Sequence, residues 1–178
     1  AMVGHNAFVV ETTANQLWAW GYLANYVGGN PAWKNPNPVN VTSVWTAAGA
    51  VFPSKKLLGN YNTLHIIDAN DHLFGGGCNV QGNVGNREQY PSWRTYPLTP
   101  YQWSMANNQT VIAPVRIPGK WKDIISNNTV TFYLYGQDMG GNWYSWGRNK
   151  SRVLGNGLSM TSNDEGARSE YYNIPAPR

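Results

Sequence analysis

Charge is scarce in this chain. Only 12% of its residues are Asp, Glu, Lys or Arg, about half the share usual in soluble domains. The acidic residues Asp138, Asp164, Glu165 and Glu170 form no pair whose setting suggests a general acid and a general base. Cysteine occurs once, at Cys78, which excludes an intrachain disulfide and a cysteine zinc site. It reads as a small apolar filler near a strand end. A phosphate-cradling Gly-x-x-x-x-Gly-Lys-Ser/Thr loop and a Gly-x-Ser-x-Gly elbow are both missing. No apolar run reaches the ~20 residues of a membrane-crossing helix, and convincing amphipathic helices are missing, with a short helical turn expected near Pro100 to Asn107. These gaps predict no catalytic residue, no metal and no cofactor in the chain.

Aromatics and turn formers are abundant instead: 13% Phe, Trp and Tyr, with 19 glycines and 11 prolines. They are ordered. A Trp-Gly pair or its equivalent recurs at Trp20-Gly21, Gly76-Gly77 and Trp146-Gly147. Each is followed eight positions later by a second glycine and then asparagine: Gly29-Asn30, Gly85-Asn86 and Gly155-Asn156. Before each lies an apolar strand, a polar turn and an aromatic strand: Ala7–Val10 then Leu17–Trp20, Thr63–Ile67 then His72–Phe74, Thr129–Tyr135 then Trp143–Trp146. That is a β-hairpin pattern, with Asn, Asp and Gly supplying positive φ angles at the turns. Asp68-Ala69-Asn70-Asp71 is oxygen-rich but lacks the glycine and distal glutamate of a helix-loop-helix calcium site, so it reads as such a turn. Repeats of this size built from strands point to propeller blades.

At these residues the chain resembles the regulator of chromosome condensation repeats. Gly4-His5, the Trp-Gly pairs, Arg148-Asn149 and Leu154-Gly155-Asn156-Gly157 carry the resemblance, and Ile174-Pro175-Ala176-Pro177 looks like the lead into a further repeat. Gly76 departs from it, standing where Trp is expected. The resemblance implies an all-β fold: a partial β-propeller of about three blades of four-stranded antiparallel sheet. Ala1-Met2 reads as a cloning scar, followed by one domain over 3–178 with units of about 3–42, 43–119 and 120–178 and a long loop insertion over 86–119. The first unit is expected to lack the strand that should precede Gly4. Because the family closes a seven-bladed ring, the expected partner is the remaining blades or another copy of the chain. Trp20, Phe74 and Trp146 are expected to be buried, and Val9, Leu64, Ile66, Phe132 and Leu134 to pack between blades.

Loops offer the candidate binding residues. Trp33 lies in the first unit's Pro- and Asn-rich loop, and Trp93, Arg94, Tyr96 and Trp103 lie in the insertion. Aromatic rings stack on sugar faces and, with Arg, anchor protein interfaces. Arg148, Lys150 and Arg152 form the densest basic group, suited to anionic partners if extended. A net charge of +4 is too modest to argue for nucleic acid. The leading functional reading is a non-catalytic binding or assembly module that presents these loops to a protein or glycan. The alternative is part of a secreted polysaccharide-active, lyase-like enzyme using His72, Tyr96 and Arg94. The founding family member promotes guanine-nucleotide exchange on a small nuclear GTPase, but no residue here matches an exchange site. Low charge with abundant Asn and Trp suggests an extracellular or secreted protein.

Overall fold

The computed structural model describes residues 2–3, 7–21, 35–60, 63–78, 84–85, 102–104, 110–126, 133–148, 154–155 and 167–174. They form three antiparallel sheets and one short helix. The first sheet orders β1 (Met2–Val3), β2 (Ala7–Glu11), β3 (Leu17–Gly21) and β4 (Asn35–Asn40). The second runs β5 (Lys56–Asn60), β6 (Thr63–Ile67), β7 (Leu73–Cys78), β9 (Thr110–Ile117) and β8 (Gln102–Ser104). The third runs β10 (Trp121–Ile125), β11 (Tyr133–Asp138), β12 (Trp143–Arg148) and β13 (Ala167–Ile174). The first strands of the three sheets meet one another, β1 against β5 and β5 against β10. This places them on the inner side of a stack of blades, as in a propeller.

Alternation along each hairpin decides what is buried. In the first sheet Ala7, Val9, Leu17 and Ala19 share one face, and they are wholly buried. They pack on Leu64, Ile66 and Phe74 of the second sheet, together with Val41, Trp45 and Ala50. The opposite face of the second sheet presents Ile67, Leu73 and Ile117 to Trp121, Ile124, Leu134 and Trp146 of the third. Val9, Leu64, Ile66 and Leu134 therefore pack between blades as the repeat implied, and Phe74 and Trp146 are buried. Phe132 lies outside the described residues. Trp20 is only half-buried: it stacks on Phe8 at 5.7 Å, on the face of the first sheet that no described element covers.

Each hairpin turn is fastened in the same way. The residue nine positions before the Trp-Gly glycine accepts the backbone N–H four residues on: Gln16 N to Thr12 Oγ1 at 3.3 Å, His72 N to Asp68 Oδ1 at 2.8 Å, and Asn142 N to Asp138 Oδ1 at 2.8 Å. Six positions before that glycine comes a left-handed residue, Asn15, Asp71 or Gly141. The Asp68–Asp71 segment is thus a hairpin turn, as its composition indicated. The glycines Gly21, Gly77 and Gly147 themselves have φ of 103°, 118° and 98°, a conformation that glycine adopts without strain. One residue earlier, all three sheets carry a β-bulge against their next strand.

The residue opposite the bulge explains the missing tryptophan of the second unit. Pro114 sits there, where a missing N–H costs no ladder bond, and a Cβ on Gly76 would come within 3.1 Å of the Pro114 Cα. Three expectations need correction. Residues 110–117 of the supposed loop insertion are strand β9, paired directly with β7. Gln102–Ser104, expected in a helical turn, is strand β8, because it forms a hairpin with β9 through Trp103 opposite Val111. Met2–Val3 pairs with Phe8 and Ala7, so a short strand does precede Gly4. Sequence reading also missed α1 (Thr42–Ala47). Its six residues are too few to display a helical period, and Asn40 Oδ1 starts it by accepting from Thr42 N at 3.0 Å.

The junction between the second and third sheets depends on one ring. A Cβ on Gly136 would lie 2.9 Å from Trp146 Cη2 and 2.6 Å from Trp121 Cζ3. Trp146→Ala should cost about 3–5 kcal/mol, and Gly136→Val about 1–3 kcal/mol by overpacking. Urea unfolding followed by tryptophan fluorescence checks both, and a variant as stable as the parent would refute this account of the junction.

Candidate functional site

Of the binding residues read from sequence, Trp33, Trp93, Arg94, Tyr96, Lys150 and Arg152 lie outside the described residues. Trp103 and Arg148 are placed by backbone only, in β8 and at the end of β12. His72 belongs to a turn, its Nδ1 3.6 Å from the buried Asp68 Oδ2. His65 is buried in β6, its Nε2 3.2 Å from the Val84 carbonyl oxygen, a structural placement between chain segments. Cys78 ends β7.

A cavity of about 460 Å³ lies elsewhere, at the turn end of the third sheet. Its floor is Trp121 and Tyr144, whose rings meet edge to face at 5.6 Å. One wall is Pro118-Gly119-Lys120, the three-residue connection from β9 into β10. The other is the β11–β12 turn with Asp138, Met139 and Gly140. Short linkage holds these walls in place. Trp121 N donates to the Asp71 carbonyl at 2.8 Å, Met139 N donates to the Lys120 carbonyl at 3.1 Å, and Trp121 Nε1 donates to the Pro118 carbonyl at 3.0 Å. The corresponding turn of the second sheet makes the same linkage, Ala69 N to the Val51 carbonyl at 3.0 Å. There, however, the preceding connection is long and carries α1.

Electrostatics fix the turn wall. Asp138 accepts from Asn142 N, from Asn142 Nδ2 at 3.0 Å and from the Tyr144 hydroxyl at 3.2 Å. Hydrogen bonding by the Asn142 side chain, then its backbone, and by Tyr144 holds the Asp138 carboxyl below the usual carboxylate range, against some desolvation. The Tyr144 hydroxyl is pushed up, first by desolvation and then by the Asp138 charge. Asp71, at the equivalent turn of the second sheet, is held low mainly by its hydrogen bond from Lys55. Over this frame Met139 stands 56% exposed, a large apolar side chain held open to solvent beside Lys120 and Asp138. Met139 thus puts an exposed, adaptable thioether on the rim of a groove lined by the buried Trp121 and the half-buried Tyr144. Among the described residues no group of three or more His, Cys, Asp or Glu could hold a metal ion. Among them, too, no helix is long and apolar enough to cross a membrane.

No protein-family model matches the chain, and no curated protein sequence does. Solved structures match it over almost its whole length. Yeast RCC1 (Prp20), solved with Kap60 bound, is 16% identical with a TM-score of 0.68, over 97% of this chain and 36% of that one. Prp20p from Saccharomyces cerevisiae, studied for its binding to Gsp1p and histones, is 17% identical with a TM-score of 0.67, over 97% and 37%. The fold is that of part of an RCC1-like β-propeller. Human WBSCR16 is similar too, at 14% identity and a TM-score of 0.59, over 93% of this chain and 36% of that one. The chain thus spans little more than a third of the length of these solved chains. At such identity the agreement concerns the fold, the three-blade reading of the repeat, and nothing finer.

The Asp138 turn carries a pH signature. A carboxyl held low in the folded state stabilises it above the unfolded value, and that stabilisation is lost as pH falls through the folded value. Thermal midpoints of the parent should therefore fall more steeply than those of Asp138→Asn as pH drops below about 4, the unperturbed carboxylate value. Parallel acid limbs would show that Asp138 does not tie this wall.

Proposed function

We propose that the chain is a protein-binding propeller module that uses its turn-end rim, with the Trp121–Met139–Tyr144 groove as a contact site. The observation that carries the reading is the exposed Met139 on the rim of the groove that Trp121 and Tyr144 line, on a turn that is hydrogen-bonded to Lys120 and Asn142. Rigid aromatic floors with an apolar and a charged rim are the usual anchors of protein interfaces. Support of a weaker kind comes from the neighbours in fold, of which one was solved with Kap60 and another was studied with Gsp1p and histones. A non-catalytic role fits a groove whose one carboxylate is already engaged by three donors.

The test places a photo-crosslinking residue at position 139 and, as a control, at the exposed position 51 on the neighbouring turn connection. One protein crosslinked through 139 and not through 51, whose binding weakens at least tenfold in Met139→Glu, is the expected result; tenfold is about 1.4 kcal/mol. Equal labelling from both positions would sink the proposal. So would retention on a glycan array that Met139→Glu leaves unchanged, which would favour the sugar-binding reading of the loop aromatics instead.

A further inference from the structure

Asp138 differs from the other carboxylates of the turn-end rim. Asp71 receives the Lys55 ammonium, and the buried Asp68 has His72 Nδ1 at 3.6 Å. Asp138 is held by neutral donors, and among the described residues no cation lies within ion-pairing distance of it. Lys120, on the facing wall of the groove, acts on Asp71, whose carboxyl is held low first by its bond from Lys55 and further by the Lys120 charge.

The Asp138 carboxylate also has no capacity left to accept. Oδ1 takes Asn142 N at 2.8 Å and Asn142 Nδ2 at 3.3 Å, while Oδ2 takes Asn142 Nδ2 at 3.0 Å and the Tyr144 hydroxyl at 3.2 Å. A carboxylate offers about four lone-pair sites, and these contacts fill them. The polar atoms of both rings are engaged too, the Tyr144 hydroxyl with Asp138 and Trp121 Nε1 with the Pro118 carbonyl. A glycine keeps the charge open. Gly140 lines the groove without the left-handed φ that would demand glycine. A Cβ there would stand 3.3 Å from both Asp138 Oδ1 and Asn142 Nδ2, so the place of the missing side chain lies over the carboxylate. Beside it Tyr144 and Trp121 set two ring planes 69° apart, and the half-buried Tyr144 carries more of the open ring surface than the buried Trp121.

Resting on the reading of this groove as a protein contact site, we infer that its carboxylate end takes the quaternary ammonium of a trimethyllysine side chain on the partner. Such a group brings charge and methyls and no N–H. An ionised carboxylate and the face of a tyrosine ring attract it, and it needs no acceptor. An unmethylated lysine or an arginine brings N–H donors that would leave water and find Asp138 already filled, so polar groups would stay unsatisfied. A neutral apolar side chain would desolvate the Asp138 charge and leave it unanswered.

The experiment follows the Met139 methyl carbon by NMR in the 178-residue chain, labelled on methionine and assigned with Met139→Leu. The probes are N-acetyl trimethyllysine methylamide, the same compound unmethylated, its isostere with carbon in place of the quaternary nitrogen, and phosphocholine. The trimethylated probe should shift the Met139 signal and bind about tenfold tighter than the unmethylated and the neutral probes. Asp138→Asn, which removes the charge, and Gly140→Ala, which lays a methyl over it, should each abolish that preference, with folding verified by circular dichroism. The comparison among probes needs no variant. Equal binding of the neutral or the unmethylated probe, or no shift up to roughly 10 mM, overturns the inference. Tighter binding of phosphocholine would give the site to a lipid headgroup and overturn it too. The contact-site reading fails separately. A protein crosslinked through 139 that binds as well with its lysines unmethylated keeps that reading and overturns this one. Met139→Glu acts on the apolar rim that a whole partner covers, whereas the capped residue fills only the carboxylate end.

Discussion

The structure depends on the seating of a bulky side chain of one sheet against a position with no side chain on its neighbour. Trp146 occupies the space that Gly85 leaves open on the neighbouring blade and Gly136 on its own sheet, and Trp121 closes it from the edge at 5.7 Å. Flat sheets cannot interdigitate deeply, so the area buried at such a joint comes from a few large rings rather than from many small contacts. The glycines are consequently part of the core. Adding one carbon atom at 85 or 136 would displace the ring that bonds the third sheet to the second.

Polar contacts do a different job. Glu11 accepts from Ser54 N at 3.0 Å, Lys56 pairs with Asp123, and Asn60 Nδ2 donates to the Tyr133 carbonyl at 3.2 Å. Each joins one sheet, or the approach to it, to the next. The Lys56–Asp123 pair is part-exposed, so its Coulomb gain is screened and its net contribution small. What such contacts fix is register. The apolar faces alone would tolerate sliding, whereas a donor aimed at one carbonyl does not.

Much of this was readable beforehand, because the repeat reports on backbone geometry. The positive-φ glycines at 21, 77 and 147 leave an invariant trace, since few other residues adopt that conformation cheaply. Alternation in the hairpins then named Val9, Leu64, Ile66 and Leu134 as inter-blade residues. The turn acceptors at Thr12, Asp68 and Asp138 are equally periodic, yet they differ in residue type and so escaped notice. Strand β9 was hidden by Pro114, which ordinarily speaks against a central strand and here occupies a bulge. The rim groove had no local signature at all. Its residues come from a connection and a turn some twenty positions apart, and only the fold brings Pro118–Trp121 against Asp138–Tyr144. The aromatic and basic loop residues that sequence did single out fall in segments of which the structure describes little.

The two connections between blades differ in kind. Pro118-Gly119-Lys120 spans the second joint directly, whereas the first is bridged by a segment that includes α1, with Trp45 buried in the joint and α1 against β9. Sheets arranged as spokes diverge with distance from the hub, and something must fill the widening gap. At one gap that filler is a helical plug anchored by Trp45, at the other a pair of indoles, Trp121 and Trp146. The angle between neighbouring spokes is therefore set by separate hardware at each gap, and a change of volume at Trp45 would retune one angle while leaving the other as it is.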